Sequence, residues 1–319
     1  MSIQHGTYAV PRMDLGAAFM EFDPEATGLI AEQVLPMLRV NRKAATFSKI
    51  TRESLMKLAE TKRTTGTNYN RIDTESEDDT YACEEHGLED VLGDDERSLY
   101  MNDYDAEVAA VQHIRLKILL AQEIRVRTLV LNTTTWTGAA LYTDISAAPW
   151  DAAASDAIGH VRAAKEKVRT GCGMPANSLI IGASTMNNLL ANTAILGRFP
   201  GVSVLTEEML KRAMASIFGL ERLIVGGQSY DSAAEGQTFT GADIWADDYA
   251  MVARLASPND SIKTPCIGRS FLWTEDSPQS PIVEQYREEQ TRGDVFRCRH
   301  SVDEKIIDPY FGHLLKVDA

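Results

Sequence analysis

Apolar side chains recur at three- and four-residue spacings through Tyr104, Val108, Val111, Ile114, Ile118, Ala121 and Ile124, the period that lines up one face of a helix. Asn102 or Asp103 offers an N-cap. Neither proline nor glycine follows before about residue 132, and Leu116, Leu119 and Leu120 widen the apolar face. About thirty residues at 1.5 Å each predict a rod of about 45 Å, a strut on which other elements pack.

Beyond a Thr-, Ala- and Gly-rich connection over 136–150, the pattern alternates between helix and strand. Ile158, Val161 and Val168 mark a helix that Gly171 is placed to stop. Residues 178–182 read as a short buried strand, followed by a helix capped by Ser184 with Met186, Leu189 and Leu190 inward. Thr206 caps a third helix with Leu210, Met214 and Ile217 inward, Glu207 and Glu208 complementing its dipole and Gly219 ending it. Residues 222–226 and 248–253 read as further strands, so this region is a compact α/β or α+β unit. From 262 onward the chain is β-rich. Residues 281–289 and 294–302 alternate across the turn Thr291-Arg292-Gly293-Asp294, a hairpin with Phe296, Cys298 and Val302 on one face. That face requires a helix, and the long rod is the candidate.

The front of the chain lacks such patterning. Residues 1–47 carry Pro11, Pro24 and Pro36 and one amphipathic piece at 30–35, which reads as an extended arm. Then charge takes over. Arg39, Arg42, Lys43, Lys49, Arg52, Lys57, Lys62, Arg63 and Arg71 face only Glu53 and Glu60. From Asp73 the sign flips, through Glu75, Glu77, Asp78, Asp79, Glu84, Glu85, Glu89, Asp90, Asp94, Asp95 and Glu96 to a single Arg97. Between Met56 and Thr80 the large apolar residues are Met56, Leu58, Tyr69 and Ile72, too few to offset the entropy of ordering the segment. The turn-forming residues 64–68 allow the flanks to pair as a hairpin, and an arm of about 20 residues would reach roughly 65 Å. An isolated two-stranded ribbon is marginal in water, so a neighbouring surface is implied.

Composition narrows the choices. The 319 residues hold 32 basic and 46 acidic side chains, a formal charge of −14, which opposes general polyanion binding. A chain of this length buries about 75% of its unfolded surface and needs no disulfide or metal to hold a core. Cys83, Cys172, Cys266 and Cys298 form no close pairs, a pattern suited to a reducing cytoplasm. Residues 1–16 lack a basic-then-apolar leader and no stretch approaches a membrane span; a soluble product is expected.

Candidate chemistry is thin. Gly182-Ala183-Ser184 sits at a strand-to-helix turn like a hydrolase elbow, but Met186 stands where the second glycine belongs. Residues 73–84 have the outer acids of a calcium loop, yet Asp78 replaces its glycine. Cys83-Glu84-Glu85-His86 is half a zinc site without the other half, and His113 is a helix-face residue. Arg292-Gly293-Asp294 is explained by a hairpin turn. No catalytic, cofactor or metal residue is assigned.

The order of parts resembles the major capsid proteins of tailed bacteriophages with the Hong Kong 97-like fold. The residues that carry it are Thr80-Tyr81-Ala82-Cys83-Glu84-Glu85-His86-Gly87-Leu88 with Asp94-Asp95-Glu96-Arg97, and the helix ending Gln122-Glu123-Ile124-Arg125-Val126-Arg127-Thr128-Leu129-Val130-Leu131-Asn132. Residues 158–169 with 177–182, 218–226 and Ala242-Asp243-Ile244-Trp245 continue the series. The resemblance implies an α+β capsid fold: N-arm at 1–47, E-loop hairpin at 48–100 lying over a neighbouring subunit, P-domain at 101–132 and 262–319 with the long spine helix, and A-domain at 133–261. It implies a virion protein assembled in the host bacterial cytoplasm, forming homo-pentamers and homo-hexamers that close an icosahedral shell around double-stranded DNA, with no cofactor and no enzymatic activity. With only about 47 residues before the E-loop, a separate scaffolding protein is expected, beside a portal and a cement or decoration protein. Some relatives crosslink an E-loop lysine to a neighbour's asparagine, and Lys62 near the ribbon tip is the candidate, but no asparagine or catalytic acid can be assigned and the residue reads as a surface lysine. Arg52, Lys62, Arg63, Arg71, Asp78, Asp79, Glu84 and Glu85 are the expected intersubunit contacts. An encapsulin-like bacterial compartment shares the implied fold, and a cytoplasmic enzyme with a pocket in the α/β unit is the alternative of another class.

Overall fold

The computed structural model describes residues 10–11, 28–65, 68–95, 106–198, 207–246 and 248–318. In chain order, strand β1 (Val10–Pro11), helix α1 (Ala31–Val34) and strand β2 (Met37–Val40) precede a ribbon of β3 (Ala44–Ile50) and β4 (Ser76–Ala82), with helix α2 (Arg52–Met56) between them. Strand β5 (Glu84–Gly93) leads to the long helix α3 (Ala106–Val130). The α/β unit then runs β6 (Tyr142–Asp144), α4 (Ala157–Cys172), β7 (Ser178–Gly182), α5 (Ala183–Ala191), α6 (Thr193–Leu196), α7 (Glu207–Phe218), β8 (Arg222–Gly226), β9 (Ser229–Asp231), β10 (Gly241–Asp243) and β11 (Tyr249–Ala253). Strands β12 (Gly268–Trp273), β13 (Ile282–Glu288), β14 (Gly293–Ile306) and β15 (Gly312–Lys316) complete it. The caps expected at Asn102, Asp103 and Thr206, with Tyr104 and the turn residues Gly66 and Thr67, lie outside the described residues.

Two sheets share α3. The first has the order β1-β13-β14-β12-β2, with β5 also on β14. Strand β14 is long enough to serve three neighbours: β13 up to Arg299, β5 up to Val302 and β12 from Val302 onward. Val111, Ile114 and Ile118 of α3 lie on Val283, Phe296 and Cys298, the helix-on-hairpin packing that the apolar faces require. The second sheet has the order β6-β15-β11-β7-β8. Helices α4, α5 and α7 cover one side, burying Val161, Leu189 and Met214 against Leu179, Val252 and Leu315. Val126 and Val130 of α3, Ile30, Val34 and Leu35 of the arm, and Trp245 cover the other side, over Ile180, Met251 and Leu314. All of β7 is buried, as a strand covered on both faces must be.

Several details depart from expectation. The stripe through Ala121 and Ile124 turns outward beyond Ile118; the buried residues there are Leu119, Gln122, Glu123, Val126 and Val130. The helix rotates its burial toward the second sheet, where a hydrogen-bonded carboxylate takes an apolar residue's place. Helix α4 runs past Gly171 to Cys172 and ends at Gly173, whose φ of 76° is the left-handed cap. Gly182, not Ser184, is the N-cap of α5; a Cβ there would lie 2.1 Å from the Trp245 carbonyl oxygen. The terminal segment does not stay with the hairpin: β15 crosses into the second sheet between β11 and β6, because Leu314 and Leu315 point into the two opposite cores.

The joint between the units is Glu123. Its Oε1 accepts hydrogen bonds from the Ile30 amide at 2.9 Å and Trp245 Nε1 at 2.5 Å, and Oε2 accepts from the Ala31 amide at 2.8 Å. Burial pushes its carboxyl pKa up, against the opposing pull of those donors. Trp245 presses so closely on the second sheet that a Cβ at Gly226 would meet its ring at 2.3 Å. Glu123→Ala strands three buried donors and is expected to cost about 3–5 kcal/mol. Glu123→Gln sets an amide N–H against one of them and is expected to cost about 1–3 kcal/mol. Denaturant unfolding of the purified protein measures both; a loss below about 1 kcal/mol for Glu123→Ala contradicts the assignment.

Candidate assembly interface

The ribbon is shorter than its sequence suggests. Strands β3 and β4 pair from Ala44↔Ala82 to Ile50↔Ser76, about 23 Å at 3.3 Å per residue. Its base docks on the subunit: Phe47 and Tyr81 lie 5.7 and 4.6 Å from the Phe271 ring, beside buried Cys83, whose thiol donates to the Phe271 carbonyl. Among the described residues of 57–75 there is no strand, since the segment has no apolar alternation to pair. Leu58, Ile72 and Tyr69 are 97%, 81% and 74% exposed there.

The expected contact residues divide into groups. Asp78 accepts from the Ser48 hydroxyl, and Asp79 is bridged by Lys305 and, at 3.8 Å, by Lys49. Burial works against the Asp79 charge, but Lys305, Lys49 and the Thr80 amide outweigh it and hold its carboxyl below the usual range. Arg52 pairs with Glu53 at 3.0 Å, donates to the Gly171 carbonyl at 3.3 Å and lies 3.2 Å over the Tyr310 ring, clasping the start of the loop to α4. Glu85 is 3.9 Å from Arg299. Arg63 stacks 4.3 Å over Tyr69. Lys62, Arg71 and Glu84 are exposed, without an ion-pair partner among the described residues.

Sequence reasoning missed where the acidic run finds its counter-charge. Arg297 pairs with Glu89, and Arg287 holds Asp94 through two 2.6 Å hydrogen bonds. Arg299 forks onto Glu284 at 2.9 and 3.2 Å and reaches Asp276 at 2.8 Å. On the opposite face Arg125 of α3 grips Glu304 at 2.7 and 3.1 Å. The available signal was the two-residue spacing of Arg297 and Arg299, which puts both on one face of a strand. Among the described residues no group of three His, Cys, Asp or Glu side chains could hold a metal ion, and no helix is long and apolar enough to cross a membrane.

No protein-family model matches the chain. It is 26% identical over 258 residues to the major capsid protein of Burkholderia phage BcepMu, covering 80% of each chain. Its fold superposes on a phage-related protein from Bordetella bronchiseptica RB50 with a TM-score of 0.70 over 97% of both chains at 20% identity. The capsid structure of cyanophage P-SCSP1u superposes with a TM-score of 0.58 at 13% identity, over 90% of this chain and 87% of that one. The chain has the Hong Kong 97-like fold of phage capsid proteins.

This chain is similar in sequence to a phage major capsid protein and in fold to phage capsid structures. Its ion pairs on β5, β13 and β14 then have a plain task, to hold the sheet that carries the loop. Arg299 serves nearly buried Glu284, so Arg299→Ala is expected to destabilise the subunit by about 2–3 kcal/mol. Arg287→Ala breaks a half-exposed pair and is expected to cost less than about 1 kcal/mol. Denaturant midpoints compare the two; equal losses contradict this ranking.

Proposed function

We propose that the loop over 57–75 is the arm by which each capsid subunit grips the next, and that the copies close as pentamers and hexamers into an icosahedral shell around double-stranded DNA. The observation that carries this reading is the exposure of Leu58, Tyr69 and Ile72 on a segment whose base is pinned by Arg52 and by the Phe47–Tyr81–Phe271 cluster. A second subunit is the surface that buries them, and Lys62, Arg63 and Arg71 on one side with Glu84 on the other give the contact its register. In this reading residues 1–47 are the N-arm and 48–100 the E-loop, rooted through β5 in the P-domain sheet. Residues 101–132 with 262–306 are the P-domain, and 133–261 with β15 the A-domain. A scaffolding protein, a portal and a cement protein are the partners expected of such a shell. The net charge of −14 leaves the enclosed DNA weakly held and free to be ejected.

Reversing Arg63 and Arg71 together to Glu is expected to leave subunit stability within about 0.5 kcal/mol, as surface changes do, while lowering shell yield at least tenfold by sedimentation. Unchanged shell yield contradicts the assignment.

A further inference from the structure

Beside the C-terminal half of α3 two histidines meet across neighbouring strands. His86 on β5 is the register partner of His300 on β14, with ring centroids 5.9 Å apart at 80°. His300 is fully buried; its Nδ1 lies 3.1 Å from the Ser280 hydroxyl, and its Nε2 has no hydrogen-bond partner among the described residues. Three charged groups bear on the pair. Arg125 of α3 repels a proton on either ring, while its own guanidinium is committed to Glu304 of β14. Glu304 and exposed Glu84 of β5 oppose that effect at His86. The site therefore accommodates two neutral rings. A protonated His300 brings an N–H to Nε2 without an acceptor and adds a cation beside Arg125, with His86 ready to become another.

We propose that the His86–His300 pair is an acid-sensitive latch: neutral, it keeps the ribbon end of the β5–β14 seam shut, and proton uptake opens that end. The location follows from topology. Glu84↔Val302 is the last pair of the seam, and Cys83 alone separates it from β4 of the ribbon. The far end is held by Arg287–Asp94 and Arg297–Glu89, so opening is confined to the ribbon end.

The sign is set by His300. Burial, then Arg125 and His86, push it down to about 3, whereas an opened strand restores a value near 6.5. The latch is fully closed above about pH 6.5 and weakens as pH falls, with opening rising on the order of 20-fold between pH 7 and 5 through His300 alone. Hydrogen–deuterium exchange of the full-length protein, corrected for intrinsic rates, is expected to show that loss of protection at 84–88 and 298–302. Residues 89–93 and strands β7 and β11 are expected to stay protected. His300→Asn, which keeps a polar group beside Ser280 and takes no charge, should remove most of the acid response. His86→Gln, at a half-buried position that folding tolerates better, should shrink it severalfold. No acid response in the wild type, or an undiminished response in either folded variant, overturns the latch.

Discussion

A buried carboxylate shared by three distant stretches of chain is the constraint on which the rest of this subunit depends. Glu123 accepts hydrogen bonds from the first amides of α1 and from the Trp245 indole. With these it anchors the N-terminal arm, the long helix and the loop before β11 at one point. The cost of burying the charge is offset only while all three donors are in place. Helix α3 can therefore be one rigid strut under two sheets, its first half packed on β13 and β14 and its second half on β7, β11 and β15.

That rigidity explains how the charges are used. A chain with 46 acidic residues repels itself unless its carboxylates are placed beside cations. Here the acids of β4 and β5, with Asp94 just beyond, lie against Lys305, Arg297, Arg299 and Arg287 from the other end of the sequence. The ion pairs thus close the sheet within the subunit and leave Leu58, Tyr69 and Ile72 of the loop over 57–75 without cover. For a subunit that assembles as proposed, a stable body with an unsatisfied arm is the physical requirement: enough core to fold alone, and a segment that gains by meeting a neighbour.

Much of this was legible in the residues. The three-and-four spacing located α3, the alternation around Phe296 and Cys298 located its partner hairpin, and the lack of apolar residues after Met56 marked the arm. What was not legible depends on long-range pairing. Periodicity cannot tell an apolar helix face from one that buries Glu123, so Ala121 and Ile124 were placed inward. Nor can it tell that Leu314 and Leu315 serve two cores and carry β15 out of the hairpin unit. The charge run at 73–97 looked like a surface for a neighbour because its partners lie some two hundred residues away, on strands whose register no local pattern encodes.

The central claim is that the uncovered arm finds its missing surface on another copy. The most direct test is a cryo-electron microscopy reconstruction of shells assembled from the purified protein at a resolution that traces the loop. The account predicts closed shells in which Leu58, Tyr69 and Ile72 of each subunit are buried against the adjacent one. Shells in which these side chains remain in solvent, or fold back on their own subunit, would contradict it.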